Sequence, residues 1–312
     1  MKHFIFGYGS LICPQSRAIT APTLQNAIAE PVIIDHIERT WSARVLGDLP
    51  LPSLNSDERS SEVASEEVQN GDHVIKGWTP MGVRFKQGSR CNGVLIHVDE
   101  EELKRFDIRE GGYERFKINV ADIYQHLENE KDLKSSLKEK NPLDDVRCTE
   151  CRLVFENANQ QRLGRSFGKS SSEDSSSDLA VWVYMQSIDL PPNRSFPITQ
   201  SYVDIIMRGC LSISHDFARR YLQTTQGWWH DGQQSDDSKS FEASSETGGN
   251  SPRSCPRDVK QCMDNHHTWV NDRHAPMYVR ADRQFSFKMG EEIDKLIGEQ
   301  HAHALKRRVV SM

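Results

Sequence analysis

Apolar and polar positions along this 312-residue chain fall into blocks of different period. Phe4-Ile5-Phe6 is a short apolar run that predicts a buried strand, and it passes directly into Gly7-Tyr8-Gly9-Ser10-Leu11. Further on, Asp99 followed by Glu102 has the form of a capping box. Leu103 and Phe106 repeat on one face behind it, so a helix is expected to begin there. Gly111-Gly112 should stop that helix. Phe116, Ile118 and Val120 then alternate with Arg115, Lys117 and Asn119, the pattern of a half-buried strand. Glu110 therefore falls at a helix-to-strand junction, where a side chain can project into a cleft. Near the C-terminus Ile293, Leu296, Ile297, Ala304 and Leu305 lie close to helical spacing. Lys306, Arg307 and Arg308 follow in the last turn, where cations complement the helix dipole. Residues 291–312 are read as a C-terminal helix packed on the core.

Three stretches break this patterning. Residues 49–78 carry serines among acids. Residues 128–178 hold a charged run from Glu128 to Lys140 and a Ser/Asp/Glu tract from Ser170 to Asp178. Residues 230–267 are rich in Ser, Gly, Gln and Asp. Such segments bury too little apolar surface to offset the entropy of ordering, so they read as flexible insertions into one domain spanning 1–290. They are also candidate sites for a partner or for phosphorylation.

The turn after the first strand holds the first candidate chemistry. Gly7 and Gly9 permit positive φ, and Gly9 allows a ligand to approach the main chain. Successive N–H groups in such a turn form a concave site for a carboxylate or a developing oxyanion. Ser10 is followed by Leu11 and Ile12, so the Gly-x-Ser-x-Gly elbow of a nucleophilic serine is absent, and none of the twelve histidines is spaced as its partner base. Ser10 reads as a hydrogen-bonding residue. Asp107, one helical turn before Glu110, and Glu114 are rival acids.

Taken together, Gly7-Tyr8-Gly9-Ser10-Leu11 and Asp107-Ile108-Arg109-Glu110-Gly111-Gly112-Tyr113 resemble the γ-glutamylcyclotransferase-like superfamily. Pro197-Ile198-Thr199-Gln200-Ser201-Tyr202-Val203-Asp204, Trp269-Val270-Asn271-Asp272-Arg273 and Pro276-Met277-Tyr278-Val279-Arg280 resemble later blocks of one branch. The matching stretches are 1–48, 79–124, 179–229 and 268–290. The resemblance implies an α+β domain around a small, mixed, barrel-like sheet with flanking helices. It implies cyclisation of a γ-glutamyl amide to 5-oxoproline with release of the free amine, and no cofactor. It assigns Glu110 as general acid/base, Tyr8, Gly9, Ser10 and Leu11 as the substrate cradle, and Tyr113 as a pocket wall. Two other readings stay open: a non-catalytic relative that keeps the pocket for binding, and a γ-glutamylamide lyase in a biosynthetic pathway. Arg44, Arg84, Arg273 and Arg280 are candidates for a carboxylate clamp or for pairing structural acids.

Charge and composition narrow the partners. A net charge of −6 and a pI near 6.1, with no basic stripe interleaved with aromatics, argue against nucleic acid. Hydrophobic runs are too short to span a bilayer, and the first residues lack the order of a signal peptide, so no membrane and a cytoplasmic location are expected. The partner expected is a small γ-glutamyl compound; the oligomeric state is left open. Seven cysteines without framework spacing fit reduced thiols, with Cys13, Cys91 and Cys210 as core residues. Cys148-Thr149-Glu150-Cys151 is the exception. With Cys255, Cys262, His266 or His267 it has the makings of a zinc site, but the pairs fall in different insertions, so no metal is assigned.

Overall fold

The computed structural model describes residues 1–46, 75–126, 143, 146–166, 178–187, 189–228, 269–281, 287–306 and 308–310. In chain order the elements are β1 (Lys2–Gly7), α1 (Pro14–Thr20), β2 (Glu30–Trp41), β3 (Val45–Leu46), β4 (Gly77–Trp78), β5 (Met81–Val98), α2 (Glu100–Arg109), β6 (Glu114–Ile118), β7 (Ile123–Gln125) and α3 (Thr149–Ser166). They continue with β8 (Leu179–Met185), β9 (Ile198–Thr199), α4 (Gln200–Ile213), α5 (His215–Thr224), β10 (Thr225–Gln226), β11 (Trp269–Asn271), α6 (Phe287–Lys306) and β12 (Val309–Val310).

The fold is α+β around a mixed, open sheet in the order β10-β2-β5-β1-β8-β6, with β7 paired to the far side of β2. β1 lies between β5, antiparallel, and β8, parallel. That central place explains its composition: Phe4, Ile5 and Phe6 are at most 1% exposed, as expected of a strand buried on both faces. β2 and β5 form the longest pairing, from Glu30↔Leu95 to Trp41↔Met81, interrupted by a register shift between Asp35 and Ile37. His36 there takes φ 62°, and the irregularity re-aims the strand between its two halves.

Three expectations change on contact with the structure. β6 is an end strand paired to β8, and its Phe116 is exposed, meeting Phe85 edge-on at 6.2 Å instead of entering the core. Within 128–178 the described residues include a helix, α3. Its Cys151, Val154, Phe155 and Ala158, with Cys148 just before it, make a buried stripe at helical spacing. That stripe packs α3 against β5 and β7. The C-terminal helix begins four residues earlier than the patterning suggests, at Phe287, and His301 departs from helical geometry within it. Residues 49–74, most of 127–145 and 230–267 lie outside the described residues. Among the described residues, no helix is long and apolar enough to cross a membrane.

The helices place the site. α2 starts at the expected capping box: Glu102 N–H donates to Asp99 at 2.7 Å, and the Asp99 N–H donates to Glu102 at 2.9 Å. α4 presses against the Ser10–Ile12 turn, and Gly209 is what permits it; a methyl group there would stand 2.6 Å from the Cys13 backbone nitrogen.

Candidate active site

The turn that ends β1 is held by its carbonyls. Tyr221 Oη donates to Tyr8 O at 2.9 Å, and the N–H groups of Ile12 and Cys13 donate to Gly9 O and Ser10 O. The buried Arg17 donates to Leu11 O and Ile12 O, both at 3.0 Å. All five carbonyls from Tyr8 to Ile12 are thus engaged. The N–H groups of Gly9, Ser10 and Leu11 find no acceptor among the described residues. The result is a turn with its donors uncommitted beside a cavity, the arrangement that suits an anion.

Gly7 and Gly9 do not use the positive φ that glycine permits; among the described glycines only Gly88 and Gly227 do. Gly9 is needed for a steric reason instead. A methyl group on it would lie 2.8 Å from the Tyr202 Oη. The crowding comes from a tyrosine of α4, not from a strained backbone.

Glu110 sits one residue past the end of α2, with its N–H bonded to Phe106 O at 2.9 Å and its own carbonyl accepting from Tyr113 N–H at 2.7 Å. Because the chain leaves the helix at Glu110, the side chain swings back beside Arg109, whose Nε lies 2.9 Å from Oε1. The Arg109 side chain is 4% exposed and that of Glu110 19%. Arg109 also donates to Ser10 Oγ (3.0 Å), Ser16 Oγ (3.1 Å), Ser16 O and Thr20 Oγ1 (both 2.9 Å). One guanidinium therefore fastens the acid to the β1 turn and to α1.

The cleft between them is lined by the six residues expected from sequence, Tyr8, Gly9, Ser10, Leu11, Glu110 and Tyr113, together with Phe6, Met81, Tyr184 and Tyr202. It is a small pocket, partly open to solvent. Burial raises the Glu110 carboxyl above the ordinary glutamate range, and the charges of Arg109 and Arg280 oppose the rise. Tyr8, Tyr113, Tyr184 and Tyr202 are pushed up, foremost by burial, and stay neutral phenols. Two are committed to the wall: Tyr8 Oη donates to Tyr184 O at 2.6 Å, and Tyr113 Oη to Met81 O at 3.3 Å.

The rival acids are occupied elsewhere. Asp107 accepts from Tyr184 Oη at 2.8 Å and pairs with Arg115 at 3.0 Å. Glu114 accepts from Ser187 Oγ on the exposed side at 3.0 Å. Three of the four candidate arginines are also accounted for. Arg44 donates to Pro191 O and stacks on Phe196, and Arg84 pairs with Glu38 and Asp189. Arg273 grips Asp204 and Asp294. Arg280 is different. Its charge is felt by Glu110, and its Nε, like that of Arg44, is buried with no hydrogen-bond partner among the described residues. Its segment is tied to α4 through Asp272, which accepts from Ser201 N–H (2.7 Å), Ser201 Oγ (2.5 Å) and Met277 N–H (2.8 Å).

Sequence reasoning missed Arg109, Tyr184 and Tyr202 as parts of this site. Arg109 stands next to Glu110 in the same motif, and Tyr202 lies in the Pro197–Asp204 block. Tyr184 has no local signal; it enters because β8 pairs with β1. Among the described residues no group of three His, Cys, Asp or Glu is placed to hold a metal ion. Cys255, Cys262, His266 and His267 lie outside them.

No family model matches the chain, and no curated protein matches it. Among solved structures, a γ-glutamyl cyclotransferase is 10% identical over 68% of this chain and 80% of its own, with a TM-score of 0.35. An uncharacterized protein from Homo sapiens is 10% identical over 84% of this chain and 98% of its own, with a TM-score of 0.37. A protein from Arabidopsis thaliana, At3g28950.1, is 20% identical over 57% of this chain and 93% of its own, with a TM-score of 0.24. These scores are low, and the functional reading rests on the residues of the cleft.

Proposed function

We propose that the cleft binds a γ-glutamyl amide and cyclises it to 5-oxoproline, releasing the free amine, with Glu110 as general acid/base. The observation that carries this reading is the meeting of a buried, upshifted carboxyl with a turn of uncommitted backbone donors across one small cavity. The motifs named above supply the reaction class, and the chemistry fits the residues.

In a γ-glutamyl amide the attacking α-amine and the γ-carbonyl belong to one molecule. Holding the folded-back conformer supplies most of what is needed, since well-oriented intramolecular reactions reach effective molarities of about 10⁵–10⁸ M. Glu110 as the anion takes a proton from the α-amine while its nitrogen bonds to the γ-carbon. The same carboxyl then returns the proton to the leaving nitrogen as the amide C–N bond breaks. Burial raises the Glu110 carboxyl, the direction that suits a group which must both take and return a proton, and the charges of Arg109 and Arg280 oppose the rise. The N–H groups of Gly9, Ser10 and Leu11 receive the carbonyl oxygen as it gains charge. Arg280, whose Nε has no hydrogen-bond partner among the described residues and whose charge reaches Glu110, receives the substrate α-carboxylate.

The test is 5-oxoproline release by purified protein from a γ-glutamyl dipeptide, glutathione and γ-glutamyl-ε-lysine in parallel. Release from at least one, abolished in Glu110→Gln, is the expected result, and the preferred substrate names the branch. No release from any of them, with a thermal shift on adding 5-oxoproline, would instead mark a binding protein that keeps the pocket.

A further inference from the structure

On another part of the sheet, α3 begins at Cys148-Thr149-Glu150-Cys151. Cys148 is the N-cap: its carbonyl accepts from Arg152 N–H at 3.1 Å, the first helical bond, while its Sγ accepts from Cys151 N–H at 3.3 Å. Beneath this turn the Glu30 carboxylate accepts from the N–H groups of Arg147 and Cys148, both at 3.1 Å, and so fixes the entry of the chain into the helix. Cys148 is 5% exposed, and that exposure opens into a cavity of about 830 Å³ counted out to its mouth. Leu24, Ala27 and Ile28 form its apolar wall; its polar one carries His97 and Arg147 with the acids Asp99, Glu102 and Glu150. None of these residues lines the cleft of Glu110.

We propose that Cys148 and Cys151 are a second reactive centre, a dithiol that exchanges with low-molecular-weight peptide disulfides entering this cavity and closes to a Cys148–Cys151 disulfide. The two thiols are unlike in the way such a pair requires. Cys148 faces the cavity and is pulled below the ordinary thiol range, foremost by its hydrogen bond with the Cys151 thiol and further by the Cys151 N–H, against burial and Glu150. Cys151 is fully buried and pushed up by that same bond, by burial and by the nearby charges of Glu30 and Glu150. Cys148 is therefore the attacking sulfur and Cys151 the resolving one.

The electrons balance with the incoming disulfide as oxidant. The Cys148 thiolate attacks one sulfur of R–S–S–R, forming Cys148–S–S–R and expelling R–S⁻. Cys151 then attacks the Cys148 sulfur, its proton passes to a departing thiolate, and the second R–S⁻ leaves. The dithiol is oxidised by two electrons, and one small disulfide becomes two thiols. A position at the helix start suits this closure, because the N-cap residue lies outside the helix proper and its side chain already folds over the residue three places on.

The experiment uses the full chain carrying Cys255→Ser and Cys262→Ser, so that the remaining reactive sulfurs belong to the pair. Glutathione disulfide is the probe, and acid quenching followed by peptide mass mapping is the readout. The expected products are a Cys148–Cys151 linked peptide in that chain, a trapped glutathione adduct on Cys148 in Cys151→Ser, and no adduct on either position in Cys148→Ser. At mildly acidic pH, Cys148 should also react faster in the folded chain than in the same chain unfolded by denaturant; a buried inert thiol does the opposite. This last comparison needs no change at the pair and so does not depend on how the serine variants fold. Both thiols remaining free, or Cys148 reacting more slowly when folded, overturns the proposal. Either result leaves the reading of the Glu110 cleft untouched, since the two sites share no residue.

Discussion

Arg109 Nε lies 2.9 Å from Glu110 Oε1, an ion pair between neighbours in the chain. Residues one apart on a helix point about a third of a turn away from each other, so such a pair forms only where the helix ends. α2 ends at Arg109, and Glu110 at φ −95°, ψ 28° turns its side chain back over the preceding guanidinium. The same guanidinium reaches Ser10, Ser16 and Thr20. Acid and turn are therefore one rigid unit.

Replacing Glu110 by glutamine should leave the melting temperature close to that of the parent and lower cyclisation by about 10²-fold or more, the usual cost of losing a general acid/base. In the parent, activity should fall with acid through a midpoint above the ordinary glutamate pKa, because burial raises this carboxyl. The sign for stability is opposite. A carboxyl raised on folding contributes stability below its unfolded pKa and loses it as pH rises through the folded one. Activity in the glutamine variant near the parent's, or an acid limb at the value of a free glutamate, would remove Glu110 from the mechanism.

Arg109→Ala leaves Glu110 and three hydroxyls without their shared donor. Breaking a buried ion pair from one side costs about 3–5 kcal/mol, and the Glu110 carboxyl should rise further once its main opposing charge is gone. Arg109→Lys keeps the charge and loses the fork, so it should restore part of the stability but not the fixed position of Ser10. Chemical denaturation of the three proteins checks this; equal midpoints would make the arginine dispensable.

Gly9→Ala places a methyl group 2.8 Å from the Tyr202 Oη and should cost about 1–3 kcal/mol through overpacking. Tyr202→Phe removes that oxygen, so the double variant should recover a large share of the loss. A double-mutant cycle with no coupling would mean that the turn yields instead of the tyrosine.

His126 packs on Phe217 with ring centroids 5.0 Å apart, and its pKa is pushed down to about 4 by burial, with Arg220 adding to the effect and Asp216 opposing it. Unfolded, a histidine titrates near 6.5. Stability tied to this residue is thus full above about pH 6.5 and is lost as pH falls towards 4. His126→Phe should flatten that part of the stability–pH curve. A slope unchanged in the variant would assign the acid sensitivity to other groups.

The residues that a sequence exposes well are those whose neighbours along the chain make the signal. Asp99 and Glu102 announce the start of α2 because a capping box is a local device. Phe4–Phe6 announces a buried strand because burial on both faces demands an unbroken apolar run. Glu110 and the Tyr8–Leu11 turn are legible for the same reason, as short motifs at element ends. α3 was obscured: its buried stripe of Cys148, Cys151, Val154, Phe155 and Ala158 is narrow, and charged residues surround it.

The sequence alone determined the start of α2 and the N-terminal strand, since each depends on residues a few places apart, while the α+β class and the choice of Glu110 over Asp107 and Glu114 came from the resemblance of its motifs. Only the tertiary structure decided that Arg109 grips the acid and the turn together, that Tyr202 and not a positive φ makes Gly9 necessary, and that Asp107 is consumed by Tyr184 and Arg115. It alone brought Arg280 to Glu110 from across the chain. The physical reason is the range of the forces involved. Capping and periodicity act within a turn of chain, whereas desolvation, ion pairing and close packing act between atoms brought together by the fold.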